Sequence, residues 1–223
     1  MEFKGFTKDT YVFLMELGLN NNKAFFEQNR ERYQKGLREP MTALAQALIP
    51  TALAIDPSIN TKMNTVLSRI YRDARRTHGV DPYRNNAWMT FRPPQVTSEE
   101  CFCMYFEIST EGYGYGMGTY AASSALLADM RAHMLSDPAR FLSLAQAPAL
   151  SRFRLEGDAY KKDRFLDAPA ALKPYLNRKN LSWCYFSDQL SRTMDGEALY
   201  AEVKTAMEDM AALYQYLTFK TKL

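Results

Sequence analysis

The stretch CFCMYFEISTEGYGYGMGTY, residues 101–120, contains two strand patterns, and we expect the fold to be built around them. In its first half, large apolar side chains alternate with side chains that are smaller or polar. A strand there would therefore place the large apolar set on one face. Two such segments in succession are typical of neighbouring antiparallel strands. The apolar face of the first half would carry Phe102, Met104, Phe106 and Ile108, and its other face Cys103, Tyr105, Glu107 and Ser109.

The second half carries glycine at positions 112, 114, 116 and 118, which would leave one face of a strand as bare backbone. Glycine inside a strand more often marks close packing or a bulge than a ligand, so we expect a twisted strand beside a bulky helix. A flat ligand on the bare face is the alternative. The spacing matches neither a phosphate-binding P-loop nor a dinucleotide-binding fingerprint.

Helical patterns lie on both sides of these strands. Near the N-terminus we expect three consecutive helices beginning at Thr7, at the run 20–22 and at Pro40, with a break or kink at Pro50. Asp195 would cap a long C-terminal helix, and Asp137 a shorter one. Further strands are predicted over 65–72, 86–92, 150–157 and 181–187, and further helices over 123–147 and 168–177.

This order of elements predicts an α+β fold. An N-terminal helical block would pack on a mainly antiparallel sheet, followed by further helices that include the long C-terminal one. With 223 residues, 47% hydrophobic residues and 24% charged residues, the chain has the composition of a globular protein, and we expect a single domain over 1–223.

Composition also limits the classes of function. No stretch reaches the roughly 18 apolar residues of a membrane span, so we expect a cytoplasmic protein without a membrane partner. The three cysteines indicate no disulfide framework, because Cys101 and Cys103 are only two residues apart on a strand. With His78 and His133 as the only histidines, the spacing predicts no metal site, and no cofactor motif is present.

Charge is concentrated locally. Residues 69–92 contain six arginines against Asp73 and Asp81, a local charge of +4 in a chain whose net charge is +3. A strand that ends in a turn there could present several guanidinium groups to a phosphate or carboxylate, each charge-assisted bond contributing roughly 1.5–3 kcal/mol. A network of arginines and carboxylates that joins the helical block to the sheet is the alternative.

Three titratable groups lie beside these arginines in the sequence or the predicted sheet. Asp73, Tyr83 and Glu107 are therefore the candidates for proton transfer, should the site be catalytic. Glu107 lies within an apolar strand, where it could equally be a structural counter-ion of an arginine.

Several short motifs of the chain match the pattern of a known family. They are Asn21-Asn22, Phe26-Glu27, Asn29-Arg30, Pro40, Arg69-Ile70, Arg72-Asp73, Arg75, Pro82-Tyr83, Glu107 and Arg131. With these motifs, the chain resembles the bacterial conserved hypothetical proteins of domain of unknown function 2461 over most of its length. The resemblance implies a single α+β domain and no established activity, substrate or cofactor.

The chain departs from the family after Arg75. The family usually has Pro-Tyr-Lys followed by Thr-His, whereas Asn85 and Asn86 follow Arg84 here. An amide does not titrate, so a histidine acid or base at the position of Asn86 would have been lost, although Asn86 can still donate a hydrogen bond to a ligand.

We therefore expect an arginine-lined cleft that binds a small anionic ligand, with catalysis and the oligomeric state left open. The alternative is a non-enzymatic module that uses residues 69–92 and exposed tyrosines to bind nucleic acid or a protein. The mild net charge argues against nucleic acid without excluding it. The predicted ligand-binding residues are Arg69, Arg72, Arg75, Arg84, Asn86 and Arg131.

Overall fold

The computed structural model of the chain describes residues 2–73, 75, 81–94, 96–97 and 101–218. Within these ranges the order of elements is a helical block, an irregular hairpin, a five-stranded sheet and further helices, the last of them long. The α+β architecture predicted from the sequence is confirmed. Among the described residues, no helix is both long and apolar enough to cross a membrane.

The first two helices begin where their capping residues predict. Helix α1 covers Lys8–Leu19, and the N–H of its N-cap, Thr7, donates to Oγ1 of Thr10 at 3.1 Å. Helix α2 covers Lys23–Gln28, and the side chain of its N-cap, Asn22, accepts the third-position N–H at 3.0 Å. Both caps satisfy first-turn groups that the helix itself leaves unpaired.

The third helical segment differs from the expectation, because the chain is helical without interruption through Pro40. Helix α3, Arg30–Tyr33, continues as a π-helix, Gln34–Arg38, and then as α4, Glu39–Ile55. The predicted start at Pro40 is therefore wrong. So is a break at Pro50, since α4 continues past it to Ile55.

A contact from α1 explains how Pro40 is tolerated. Proline has no N–H for the carbonyl one helical turn earlier, which here belongs to Gly36. The hydroxyl of Thr10 donates to that carbonyl at 2.6 Å, across 26 residues of sequence. A tertiary hydrogen bond thus replaces the missing helical one, and the ladder widens locally into the π-helix.

Helix α5 covers Met63–Val66. The segment that follows it is an irregular strand and not the regular one predicted over 65–72. Its N–H groups and carbonyls pair with residues 82–89: Arg72 donates to the carbonyl of Pro82, and Arg84 donates to that of Ile70, both at 2.8 Å. The pairing is antiparallel, as in a hairpin. The turn that the sequence predicts after this strand, THGVDPY at 77–83, lies partly outside the described residues.

The five strands form one antiparallel sheet in the order β1-β2-β3-β5-β4. The hairpin borders β1, and β4 lies at the opposite edge. The predicted antiparallel sheet is confirmed. The strands are β1 Asn86–Phe91, β2 Cys103–Ser109, β3 Tyr113–Gly118, β4 Arg154–Glu156 and β5 Ser182–Ser187.

Two of the remaining helices also begin at the expected caps. Asp137 accepts the N–H of Arg140 at 3.0 Å, and Asp195 accepts that of Ala198 at the same distance. The remaining helices are α6 Ser124–Ser136, α7 Pro138–Ala145, α8 Lys173–Leu176 and α9 Gly196–Leu217.

The two faces of the sheet have different surroundings. Helices α4 and α9 contact the face that carries the apolar side chains of β2 and the tyrosines of β3, and this layer is the buried core. The opposite face, which we call the outer face, carries Trp88, Glu107, Gly114 and Phe186 in one cross-strand row. Its non-glycine members are half-buried or exposed.

The glycines of β3 lie on the outer face, so the expected bulky helix beside them is wrong. Aromatic side chains of the neighbouring strands take its place. A Cβ atom at Gly112 would stand 2.7 Å from Cζ of Phe186, and one at Gly116 would overlap the carbonyl of Trp183. Tyr105 and Cys184 lie on either side of Gly116 in one cross-strand row. The hydroxyl of Tyr105 forms a hydrogen bond with the thiol of Cys184 above this glycine. Close packing therefore accounts for these glycines.

Candidate functional site

The hairpin is held against the helical block by an amide clamp and an aromatic stack. The side chain of Asn21 donates to the carbonyl of Tyr83 and accepts its N–H, both at 2.9 Å, which imitates the pairing of a strand. The rings of Phe26 and Tyr83 are stacked with centroids 4.3 Å apart, and Tyr71 packs on both. Desolvation raises the pKa of Tyr83, so this hydroxyl stays protonated at neutral pH.

The four arginines of this segment that were predicted to bind a ligand are spread along the hairpin. Arg75 is 89% exposed and forms an ion pair with Asp73 at 2.8 Å. Arg69 is exposed, and Arg72 is half-buried. The guanidinium carbon of Arg84 lies 4.7 Å from the ring centre of Trp88, a cation–π contact on the outer face.

A small solvent-connected hollow of about 10 Å³ lies beside the hairpin, between the helical run and the edge of β1. Its polar lining comes from Tyr33, Arg38, Ser68, Asn86 and Trp88. Of the predicted ligand-binding residues, Asn86 lines this hollow, whereas the cation that lines it is Arg38, which sequence reasoning missed. A proline shortly after a glycine inside a helical pattern was the signal for the π-helix that carries Arg38.

Arg38 is positioned by the π-helix. Its backbone carbonyl accepts the hydroxyl of Thr42 at 2.7 Å, and its guanidinium donates to the carbonyl of Ser68 at 3.3 Å. The side chain is half-buried, and burial raises the pKa of the adjacent Tyr33 while the charge of Arg38 opposes that rise. In the described ranges no carboxylate forms an ion pair with Arg38, in contrast to Arg32, which binds two.

Asn86 connects the hollow to the outer face. Its amide donates to Oε1 of Glu107 at 2.7 Å, and Glu107 is the cross-strand neighbour of Trp88. Over the residues that the structure describes, Glu107 has no ion pair with an arginine, so the expected arginine counter-ion is not seen there. We call the set Arg38, Ser68, Arg84, Asn86, Trp88 and Glu107 the β1-edge site; it combines two cations with one carboxylate.

The other predicted site residues lie elsewhere. Asp73 is paired with Arg75 on the hairpin, and Tyr83 packs into the helical block, so Glu107 is the only one of the three proton-transfer candidates at the β1-edge site. Arg131, on α6, donates to the carbonyls of residues 176 and 178 at 3.0 and 2.6 Å. These carbonyls belong to the segment between β4 and β5, at the other edge of the sheet. Arg131 there serves to hold that segment.

The cysteines are free thiols. A hydrogen bond from Cys101 and burial raise the pKa of the Cys103 thiol well above its ordinary value, which disfavours the thiolate that a metal ligand requires. Within the described ranges, no three His, Cys, Asp or Glu residues are grouped so that they could hold a metal ion. His78 lies outside these ranges.

Comparison with models of protein families gives a match over most of the chain. A family model described as "Conserved hypothetical protein (DUF2461)" matches residues 9–216, a range that includes every residue of the β1-edge site. A search of curated proteins finds no match to the chain.

Proposed function

Because the chain belongs to the DUF2461 family of conserved hypothetical proteins, whose description carries no activity, we propose a function from the site itself: binding of a small anionic ligand, with a phosphate or carboxylate group, at the β1-edge site. The sequence predicted that arginines of the hairpin bind the anion. In this proposal the main anion-binding residue is Arg38 instead. Arg84 contributes a second cation from the outer face.

The state of Arg38 is the observation that carries this proposal. The chain neutralises Arg32, Arg152 and Arg192 with carboxylates at 2.6–2.8 Å, whereas Arg38 has a single long bond to a carbonyl within the described residues. Withdrawing a cation partly from water without an opposite charge is unfavourable. An anion bound at the mouth of the hollow would remove that penalty and accept two parallel N–H groups of the guanidinium fork.

The other members of the site have separate roles. The Trp88 ring shields Arg84 from water on one side, which strengthens its attraction to a negative charge. Glu107 repels an anion, so the charged group of the ligand would lie on the Arg38 side and a polar, uncharged part near Glu107. Glu107 is also the carboxylate through which any proton transfer in this site would pass.

The test is a calorimetric titration with inorganic phosphate, sulfate and citrate at low ionic strength. One charge-assisted bond contributes about 1.5–3 kcal/mol, so Arg38→Gln should weaken binding roughly 10- to 150-fold. Arg38→Lys should restore only part of the loss, because an ammonium group lacks the planar fork. Circular dichroism of each variant checks that the fold is kept.

Arg154→Gln is the matched control, since Arg154 is exposed on the outer face at the opposite edge of the sheet. It should leave anion affinity unchanged. The proposal is abandoned if wild-type protein binds none of the three anions, or if both arginine-to-glutamine variants lose affinity equally.

A second candidate is a module that uses residues 69–92 to bind nucleic acid or a protein. It is favoured by the exposure of this surface: Tyr71 is 48% exposed, and Arg69 and Arg75 are exposed beside it on the hairpin. Phosphate contacts would make binding fall steeply with salt. A gel-shift series with single-stranded and duplex oligonucleotides across salt concentrations tests it, and absence of binding at low salt eliminates the nucleic-acid version.

A further inference from the structure

A second hollow, of about 250 Å³, lies at the β4 edge of the sheet, away from the β1-edge site. It is bounded by the segment 145–153, by Leu155 of β4, and by the side chains of Tyr175 and Trp183. This volume is just below the range of about 300–1,000 Å³ of pockets for drug-sized ligands, so the hollow has room for a small molecule only. Every side chain that lines it is uncharged. The charge of Arg152, which lies within this segment of the sequence, is neutralised by an ion pair with Asp209 at 2.6 Å. The hollow therefore suits a neutral ligand.

The walls of the hollow are aromatic and held in place. The rings of Tyr175 and Trp183 are stacked, with centroids 5.9 Å apart and an angle of 19° between their planes. Phe141 packs on Tyr175 in a T-shaped contact with ring centroids 4.9 Å apart, and Phe102 packs on Trp183 in another with centroids 6.2 Å apart. Packed rings of this kind form a rigid apolar surface against which a flat molecule loses little freedom on binding.

Trp183 also offers an unused hydrogen-bond donor. Its side chain is 3% exposed, and its indole N–H has no acceptor among the described residues. The only enclosed side-chain nitrogen or oxygen without a partner in the described ranges is Nε of Arg92. The Trp183 N–H is therefore not fully enclosed, and Trp183 is one of the residues that line the hollow. A buried indole normally finds a partner for this group, so an acceptor in the hollow would complete the site.

We propose that this hollow binds a small, neutral, flat heteroaromatic molecule whose ring acceptor takes the Trp183 indole N–H. The aromatic walls select a flat ring, the uncharged lining selects a neutral one, and the free donor selects a ring with an acceptor atom. The proposal is independent of anion binding, because it shares no residue with the β1-edge site.

Nuclear magnetic resonance of the indole groups provides the test, with quinoline as the probe. The chain has two tryptophans, so a ¹⁵N-labelled sample gives two indole N–H signals, and Trp88→Phe assigns the one that remains to Trp183. Titration with quinoline should move the Trp183 signal downfield and saturably, as expected for a new hydrogen bond. The Trp88 signal of the wild-type protein should stay in place.

Phenylalanine substitutions at two alanines distinguish binding in the hollow from binding to the surface around it. Ala147 lines the hollow, whereas Ala149 is exposed two residues later and does not. Ala147→Phe should abolish the shift by filling the hollow, and Ala149→Phe should preserve it. Ser151 also lines the hollow, so Ser151→Phe replaces Ala147→Phe if that variant fails to fold. An unsaturable shift, or an equal shift in the blocked and control variants, overturns the proposal.

Discussion

Removal of the Glu202 carboxylate should destabilise the protein far more than its half-buried position on α9 suggests. Glu202 accepts the hydroxyls of Tyr113 and Tyr115 at 3.1 and 2.9 Å and an N–H of Arg192 at 2.8 Å. The two tyrosines come from β3, where they alternate with the glycines, and are 0% and 1% exposed. The carboxylate thus joins the centre of the sheet to the C-terminal helix.

The expected magnitude follows from these contacts. In Glu202→Ala both tyrosine hydroxyls lose their acceptor, and an unsatisfied buried donor costs about 1–3 kcal/mol, so the pair gives about 2–6 kcal/mol. The ion pair with Arg192, whose side chain is 44% exposed, adds less than about 1 kcal/mol because solvent screens it. Glu202→Gln keeps one acceptor oxygen and should lose roughly half as much.

Urea unfolding followed by circular dichroism measures these differences in the free energy of unfolding. Glu208→Ala is the control on the same helix, since Glu208 is exposed and paired with Lys204 at 2.7 Å one turn away. Such a pair contributes about 0.3–0.5 kcal/mol. If Glu202→Ala and Glu208→Ala lower stability by the same amount, the carboxylate does not hold the tyrosines and the reasoning is wrong.

Three further predictions concern single side chains. Thr10→Val should lower the free energy of unfolding by about 1–3 kcal/mol, measured by urea unfolding, because the Gly36 carbonyl loses its donor. Gly116→Ala should cost about 1–3 kcal/mol or more in the same assay, because its Cβ would overlap the Trp183 carbonyl, whereas Gly36→Ala, with 3.9 Å to its nearest neighbour, should be tolerated. Burial raises the pKa of Tyr11 to about 12 from an ordinary value of 10.0, so its contribution to stability is complete below pH 10 and is lost as the pH rises towards 12. The alkaline loss of stability measured between these pH values should therefore be smaller in Tyr11→Phe, and an unchanged loss would contradict the assigned burial effect.

Local sequence determined the elements of this protein and most of their boundaries. A cap acts on N–H groups within three residues of itself, so Thr7, Asn22, Asp137 and Asp195 could be recognised without knowledge of the rest of the chain. Alternation likewise acts between adjacent residues, which made the strands and the composition of their two faces predictable. These signals were sufficient for the α+β class and the antiparallel sheet.

The candidate site was predicted less completely, because its members come from distant parts of the chain. The sequence indicated Arg84 and Asn86 by their place in the basic segment and Glu107 as a carboxylate within an apolar strand, and the structure brings these three to the β1 edge. It also suggested Arg131, whose guanidinium binds carbonyls at the other edge of the sheet. Charge density in the sequence does not reveal which acceptors a long side chain will reach.

Tertiary structure alone decided the position of Arg38. Pro40 predicted the start of a new helix, yet the chain stays helical because the hydroxyl of Thr10 reaches the carbonyl that proline leaves unpaired. That single bond between residues far apart in sequence fixes the π-helix that directs Arg38 to the hollow. The sequence by itself determines interactions within a helical turn or between neighbouring residues of a strand, whereas bonds between distant residues exist only once the chain has folded.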